Sequence, residues 1–422
     1  MILKVSLLLI GILAISGLPI WMYRLQSDAL RKYYWPALAV KIIAGLAVGW
    51  LYFMHYQQGD TIIYWRDGQA IAHMIEEDPA QAWDFYVRDD AGVQLIGSGT
   101  NSKPRSMFFA KMVGIAALFC AGNYWIMTCW FSLISFFGVW YLFVRITSAF
   151  PASEKAAAIA FFFYPSAVFW SSGIIKESVG LGSLLFVSGI FLSFLGRLKI
   201  ARWEWVVGIL ALWIGWTLKY YWMGVLLPVA ITTIAMSYFN HWRPSIARFE
   251  LVLWCCLFVF FLAIVTAIHP NFYPHRFVEV IVQNNQEFMA LSNPDNVVNY
   301  SNLEATAASV LINAPQALVA GLFRPFVWEG HNSLAVVAGL ENLALIFMVA
   351  SAAISLRKVL TSRHRLLCFA VLTYIVILAV FLALSTPNLG TLSRYKVGFL
   401  PFLVFIAIYQ NSIIERLIGK KL

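Results

Sequence analysis

Long apolar runs, each close to the length of a membrane-crossing helix, alternate along the chain with short polar connections. A helix needs roughly 20 predominantly apolar residues to cross the hydrocarbon core of a bilayer. The segments that meet this requirement are 2–22, 35–54, 124–146, 156–173, 178–196, 203–218, 220–239, 250–268, 333–355, 366–384 and 396–413. The pattern therefore predicts an all-α polytopic membrane protein with about eleven transmembrane helices, forming a single integral-membrane domain over residues 1–422.

Two long polar stretches, 55–107 and 269–332, interrupt this alternation, and such loops often carry function. The apolar stretch 107–121 follows the first of them, but it is too short to cross a bilayer comfortably and contains Lys111. We predict an interfacial or re-entrant helix there, so that the first loop extends over 55–121 and carries short interfacial helices.

The positions of the basic residues predict the orientation of the spans, because Lys and Arg in short connections are retained on the cytoplasmic side. More than half of the 30 basic residues lie on alternate connections of the eleven-span arrangement: Arg24, Arg31, Lys32, Arg145, Lys155, Arg197, Lys199, Arg202, Arg243, Arg248, Arg357, Lys358, Arg363, Arg365, Arg416, Lys420 and Lys421. Both long loops and the N-terminus are then predicted to face outward, and the C-terminus inward.

Composition agrees with a membrane protein: 61% of the residues are hydrophobic and 12% charged, with a mean hydropathy of +0.76. These values exclude an ordinary soluble enzyme. The net charge of +10 does not indicate a nucleic-acid partner, because the basic residues are scattered between apolar runs rather than gathered on one face. The five cysteines have neither disulfide-framework nor zinc-site spacing.

Charged residues close to hydrocarbon are costly, so those at the predicted outer ends of spans are candidates for function. The first cluster lies in 59–68, where Asp60 follows the second span and Arg66 comes shortly after it. In a helix, Asp60, Tyr64 and Asp67 share one face, which could point into a cavity. The alternative is that Asp60 caps the helix and Asp67 is solvated.

Two further clusters lie in tight connections between spans. Lys176 and Glu177 follow the sequence Tyr164-Pro165-Ser166, and they either face a ligand or form an ion pair that closes a hairpin. Lys219 lies between two spans with almost no loop. Its ammonium group either extends to the membrane interface or holds a lipid phosphate.

The fourth cluster begins just before the ninth span, and the fifth follows the tenth span. Arg324, before a proline, could grip a phosphate bidentately, and it is accompanied by Glu329, His331 and the intramembrane Glu341. Arg394 and Tyr395 begin the last span, where they either bind substrate or anchor the interface.

All five clusters are assigned to the same membrane face, and together they contain carboxylates and fixed cations. This combination suits transfer of a group from a lipid phosphate, because a carboxylate can deprotonate the acceptor hydroxyl while cations stabilise the departing phosphate. Phosphate-binding glycine loops, the His-Glu-x-x-His zinc motif and the nucleophile-elbow serine are absent from the sequence. Asp60, Asp67, Glu177 and Glu329 could supply oxygen ligands to Mg²⁺ or Mn²⁺, and whether a metal is needed stays open.

These residues resemble the integral-membrane glycosyltransferases of the GT-C superfamily, which use polyprenyl-phosphate-linked sugars. Gly59-Asp60-x-x-x-Tyr64 and the short 107–121 helix are similar to the acidic first external loop and interfacial helices of that superfamily. Tyr164-Pro165-Ser166…Lys176-Glu177-Ser178 is similar to its Pro-Ser…Glu-Ser hairpin, and Arg394-Tyr395 before Pro401 to its late Arg-Tyr…Pro element.

The resemblance implies an enzyme that moves a sugar from a polyprenyl-phosphate donor to a lipid, glycan or protein acceptor, at the outward face of a bacterial plasma membrane, in building the cell envelope and its polysaccharides. Asp60 would be the general base, with Asp67 and the Asp89-Asp90 pair as alternatives. Lys219, Arg324 and Arg394 would hold the donor phosphate, Lys176 and Glu177 would position donor or acceptor, and 269–332 would act as a lid.

The rival functions are a polymerase or ligase of lipid-linked oligosaccharides, a transporter or flippase of a lipid-linked substrate, and a membrane scaffold.

Overall fold

A computed structural model describes residues 2–88, 104–268, 273–330, 332–354 and 364–418, and these ranges are helical apart from turns and one isolated β-bridge. The helices are α1 (Ile2–Arg24), α2 (Asp28–Leu51), α3 (Asp60–Glu77), α4 (Pro79–Arg88), α5 (Pro104–Phe119), α6 (Tyr124–Ala149), α7 (Glu154–Ala158), α8 (Pro165–Phe169), α9 (Lys176–Leu195), α10 (Arg202–Trp242), α11 (Glu250–Ile268), α12 (Pro274–Leu291), α13 (Ala307–Phe323), α14 (Ser333–Ile354), α15 (Arg365–Ser385), α16 (Leu389–Tyr395), α17 (Leu400–Ile408) and α18 (Ser412–Ile418). His331 and the Asp89-Asp90 pair lie outside the described residues.

Seven helices in the described ranges are long and apolar enough to cross a membrane: Lys4–Arg24, Asp28–Tyr56, Tyr124–Ala149, Lys176–Leu195, Arg202–Trp242, Ser333–Ile354 and Arg365–Ser385. An eighth is added if the pair Leu389–Gly398 and Leu400–Ile408, bent by 67°, is taken as one span. The prediction of an all-helical chain with membrane-length apolar helices is therefore confirmed, whereas the number of about eleven is not.

The difference in number has local causes. The predicted span 156–173 consists of α7, a π-helical turn at Ile159–Phe163 and the short α8, which begins at Pro165. The segments 203–218 and 220–239 are the two parts of α10, whose backbone departs from helical geometry at Lys219 (φ −141°, ψ 58°). Hydropathy averaged over a window detects the apolar content of such segments but not a local break in the helix.

The two predicted loops also contain more regular structure than their polarity indicated. The first holds α3 and α4, and the predicted 107–121 helix is α5, which begins at Pro104, where the fixed φ of proline suits a first helical turn. The second holds α12 and the 17-residue apolar helix α13. A helix of that length is close to the lower limit for a crossing, and it lies within the stretch 269–332 that was predicted as a loop.

The chain divides into two compact units. The first unit is Met1–Arg145, Val168–Ile190 and Ala201–Tyr220, and the second is Ile146–Ala167, Phe191–Ile200 and Tyr221–Leu422. This division into compact units does not test the prediction of a single integral-membrane domain, which stays a prediction.

In the first unit, the residues predicted as the first external loop form much of the core. The side chains of Ile71, Phe109, Val113 and Phe131 are fully or almost fully buried against one another and their neighbours. Helix α3 approaches α5 closely at Gly68, where a Cβ atom would lie 2.5 Å from Val113 Cγ1. Small residues at this crossing therefore allow α3 and α5 to approach each other closely.

In the second unit, α13 packs along α15, and Gly321 lies directly against the backbone of Ala379. The predicted lid is fixed to the end of α15: Asn285 Nδ2 donates to Leu384 O (2.7 Å) and Val298 N donates to Pro387 O (2.9 Å). These hydrogen bonds hold the chain that precedes α13 against the turn that precedes α16.

Candidate functional site

Helix α3 begins at Asp60 because the two preceding turns use left-handed backbone. Gln57 has φ 57° and ends the π-helical turn that follows α2, and Gly59 caps α3 with φ 125°. A Cβ atom on Gly59 would also lie 2.7 Å from Tyr52 Cε1. Asp60 is half-buried in the first turn, where the helix dipole favours a carboxylate.

The first polar cluster consists of Tyr64, Ser106, Lys176, Glu177 and Lys219. Lys176 Nζ donates to Ser106 Oγ (3.1 Å), and Tyr64 OH donates to the same oxygen (3.2 Å). The Lys176 ammonium also lies 5.5 Å from the centroid of the Tyr64 ring. The predicted clusters of α3 and α9 are thus joined, because α5 supplies a serine that contacts both Tyr64 and Lys176.

Glu177 forms an ion pair with Lys219. Lys219 Nζ lies 2.5 Å from Glu177 Oε1, and the exposed fractions of the two side chains are 4% and 0%. The break in α10 at Lys219 accompanies this contact, and Glu177 is in the first turn of α9. A pair this deeply buried compensates two charges that neither side chain could carry alone in apolar surroundings.

The turn before α9 is fixed by residues that the sequence analysis did not select. Lys41, buried on α2, donates through Nζ to Ser171 Oγ (2.6 Å). Gly173 has φ 77°, and its backbone N–H donates to Ser132 Oγ (3.0 Å). This framework places Lys176 and Glu177 at the beginning of α9. Lys41 could have been selected from the sequence, because a lysine within a predicted span is costly and therefore a candidate for function.

The second polar cluster, in the second unit, consists of Ser166, Arg324, Glu329, Glu341 and Lys396. Arg324 and Glu329 form a bidentate pair with Nη2–Oε1 2.5 Å and Nε–Oε2 3.0 Å. Lys396 is 2% exposed, and its Nζ donates to the backbone oxygens of Leu322 (3.3 Å) and Arg324. Lys396 directly follows Tyr395, so the chain next to the predicted fifth cluster contacts the backbone of the predicted fourth.

Glu341 joins the second polar cluster to the start of α8. Its Oε1 accepts hydrogen bonds from the backbone N (3.0 Å) and the Oγ (2.8 Å) of Ser166. Tyr164 OH donates to the backbone oxygen of Glu341 (3.3 Å). These contacts tie α14 to the residues at the start of α8.

Tyr300 lies close to Arg324 in the second unit. Its hydroxyl is buried, and no hydrogen-bond partner for it lies among the residues that the structure describes. Burial raises the pKa of Tyr300, and the Arg324 guanidinium partly opposes this shift. The Arg324 guanidinium thus affects the ionisation of Tyr300 in addition to pairing with Glu329.

The remaining predicted site residues occupy different environments. Asp67 is fully buried on α3, three residues after Tyr64, whereas Arg66 is exposed on the same helix. Arg394 is buried in the last turn of α16, and Tyr395 beside it is half-buried. Tyr64 and Asp67 are therefore directed inward and Asp60 is half-buried on the same face, whereas Arg66 is exposed; the solvated Asp67 of the alternative interpretation is not observed.

The carboxylates considered as metal ligands do not form a group. Among the described residues, no three His, Cys, Asp or Glu side chains lie close enough together to hold one ion. Asp60, Asp67 and Glu177 belong to the first unit and Glu329 to the second, where it is engaged by Arg324.

Comparison of this chain with protein-family models, with curated proteins and with solved structures gave no match. The function proposed below rests on the residues and on their geometry.

Proposed function

We propose that this protein is a membrane-embedded glycosyltransferase that moves a sugar from a polyprenyl-phosphate-linked donor to a lipid, glycan or protein acceptor. The observation that carries the proposal is the first polar cluster. Side chains from α3, α5, α9 and α10, distant in sequence, meet at Ser106 and Glu177, within a unit made largely of apolar helices. Polar groups are costly in such surroundings, which favours a functional reason for gathering them.

Within the proposal, Asp60 is the general base that takes the proton of the acceptor hydroxyl. Asp60 is half-buried at the start of α3, so its carboxylate is partly surrounded by protein but can still be reached by an acceptor. The Lys176 ammonium, which is also half-buried, stabilises the negative charge that develops on the departing lipid phosphate. Reaction at the sugar carbon then forms a bond to the acceptor oxygen and breaks the bond to the phosphate oxygen.

Lys219 receives a different role from the one predicted for it. Its ammonium is almost wholly enclosed with the Glu177 carboxylate, which supports a positioning role at the start of α9 rather than contact with phosphate. Arg324 retains a solvent-accessible part, with 21% of its side chain exposed, and it remains a candidate for binding an anionic group in the second unit.

The proposal includes the finer membrane topology of about eleven spans with outward-facing loops in a bacterial plasma membrane. The length of α10 supports it, because 41 residues would extend about 60 Å as one straight helix, roughly twice the thickness of a hydrocarbon core. The break at Lys219 divides these residues into two parts, each near the length of a single crossing.

The test is transfer of radiolabelled sugar in proteoliposomes that contain the full chain and polyprenyl-phosphate-linked hexose or pentose donors. We expect Asp60→Asn to lower turnover by about 100-fold or more, because a general base contributes about that factor. Asp28→Asn is the matched control: Asp28 also lies in a first helical turn, but it is exposed and paired with Arg31. Wild-type turnover in a folded Asp60→Asn protein would refute the assignment of the base.

The same assay separates the rival functions. A long glycan product would indicate a polymerase, and transfer of a whole oligosaccharide would indicate a ligase. Movement of the donor across the bilayer without any new glycosidic bond would indicate a transporter or flippase and would overturn the proposal.

A further inference from the structure

The first unit contains a cavity of about 890 Å³ enclosed mainly by α6, α9 and α10, with the end of α1 and Met112 of α5 at its sides. Its lining is strongly apolar and includes Trp140, Phe186 and Trp203. Trp203 is 57% exposed and so places part of the lining at the surface of the protein. A cavity with these walls suits hydrocarbon rather than a sugar or a phosphate.

The length of the cavity matches one leaflet of a bilayer. Along α10 its lining runs from Trp203 and Glu204 to Ile214, and a ten-residue helical step from Glu204 to Ile214 corresponds to about 15 Å. This is about half of the roughly 30 Å hydrocarbon thickness of a bilayer. The acyl chains of one lipid molecule have this reach.

The charged residues of this lining, Arg145 and Glu204, lie at one end of the cavity. Gln26, Arg145 and Glu204 line the cavity there, and Arg145 is paired with Glu204. Arg24 and Arg202, both exposed, flank the lining residues of α1 and α10 at the same end. Positive charge beside an acyl-chain cavity attracts an anionic headgroup.

We infer that this cavity binds the acyl chains of an anionic glycerophospholipid, with its phosphate between the Arg24 and Arg202 side chains at the predicted cytoplasmic end. The polar residues proposed for catalysis are not part of the lining. The bound lipid is therefore distinct from the sugar donor, and the inference holds whether or not the chain transfers sugar.

Native mass spectrometry of the full chain in detergent tests this inference. The protein is delipidated and then supplied with equal amounts of phosphatidylglycerol and phosphatidylcholine. We expect retention of about one phosphatidylglycerol per chain and preference for it over phosphatidylcholine. Undecaprenyl phosphate is the third probe, and its selective retention in place of phosphatidylglycerol would overturn the inference.

Two pairs of variants locate the bound lipid. Ala211→Phe should fill part of the cavity and lower phosphatidylglycerol retention at least fivefold, whereas Ala39→Phe, the same change at an exposed position on α2, should leave retention unchanged. Arg24→Gln and Arg202→Gln should each reduce the preference for phosphatidylglycerol about fivefold, since one basic residue near an anionic headgroup contributes about that factor. Arg243→Gln, at another exposed helix end, is the control.

Circular dichroism and thermal unfolding confirm that each variant is folded. Ser183→Leu is a second, smaller cavity-filling change if Ala211→Phe does not fold. Equal retention of the two phospholipids by the wild type, or unchanged retention in a folded cavity-filling variant, would overturn the inference.

Discussion

Lys219 and Glu177 form an ion pair with almost no contact with solvent, because their side chains are 4% and 0% exposed. Removing one member of such a pair leaves the other charge buried without compensation. We expect Glu177→Gln to lower the free energy of unfolding by about 3–5 kcal/mol, measured by denaturation in mixed detergent–lipid micelles.

The double variant Glu177→Gln/Lys219→Met is the comparison for this prediction. It removes both charges, and most of the lost stability should therefore return. Asp28→Asn, which disrupts an exposed pair with Arg31, should cost less than about 1 kcal/mol. A similar small loss in Glu177→Gln would contradict the view that the pair compensates buried charge.

Tyr300 gives a prediction about alkaline pH. Burial raises the pKa of its phenol in the folded protein above the ordinary value of about 10, so the folded state favours the protonated form. The corresponding stability is present below about pH 10 and is lost as the pH rises through the folded-state pKa. We expect the Tyr300→Phe variant to lose less stability than the wild type between about pH 10 and pH 12. Chemical denaturation at a series of pH values measures this difference.

Tyr273→Phe is the control for the alkaline measurement, because Tyr273 is exposed. Its pH dependence should match that of the wild type. Identical slopes for Tyr300→Phe and the wild type would show that ionisation of Tyr300 does not destabilise the folded chain.

The sequence allowed some residues of the polar clusters to be predicted and not others. Lys176, Glu177 and Lys219 stood out because charge is rare beside apolar runs. Ser106 and Ser166 did not, because a serine in or beside a helix is common, and their importance arises only from the partners that packing brings to them. The pairing of Lys219 with Glu177 could not be predicted either, because it depends on how the helices pack.

Contact between elements depends on small residues, most clearly where α3 crosses α5. A Cβ atom at Gly68 would lie 2.5 Å from Val113 Cγ1 and 3.1 Å from the carbonyl carbon of Val113. We expect Gly68→Leu to separate the helices, to cost about 1–3 kcal/mol of unfolding free energy and to lower activity by displacing Tyr64 from Ser106. Thermal unfolding and the transfer assay measure the two effects.

Gly17 provides a matched control on α1, because no atom lies within 4 Å of a Cβ built there. Gly17→Leu should change neither unfolding temperature nor turnover appreciably. Equal effects of the two substitutions would mean that loss of helix flexibility, rather than the crossing of α3 and α5, determines the outcome.

Helix positions followed from the apolar pattern more faithfully than helix continuity did. The predicted spans 178–196, 333–355 and 366–384 agree with α9, α14 and α15 to within two residues. The π-helical turn before α8 and the bend before α17 were not predicted. These features depend on how a few backbone groups are accommodated, and average hydropathy contains no information about them.

At the scale of the whole molecule, the distribution of basic residues gives a prediction of sidedness. Ser27 and Gln57 are exposed and lie at opposite ends of the candidate span Asp28–Tyr56. In a cysteine-free background, Gln57→Cys should react with a membrane-impermeant maleimide on intact cells, and Ser27→Cys only after permeabilisation. The reverse pattern would invert the topology and place the first polar cluster on the cytoplasmic face.

The division into two units could not be obtained from the sequence. Each unit is assembled from three separate segments of the chain, and the boundary between two of them falls at Tyr220 and Tyr221, inside α10. Apolar composition is similar on both sides of such a boundary, so the pattern predicted one continuous domain. Tyr64, Lys176, Glu177 and Lys219 consequently belong to the first unit, and Arg324, Glu329 and Glu341 belong to the second.

The backbone of Gly59 also bears on how this protein would change during evolution. Its φ of 125° is rarely adopted by other residues, and a side chain there would collide with Tyr52. Exposed positions on the lipid-facing helices can exchange one apolar residue for another, whereas position 59 can accept almost no replacement. In divergent descendants of this chain, Gly59 would therefore persist after most of the surrounding sequence had changed.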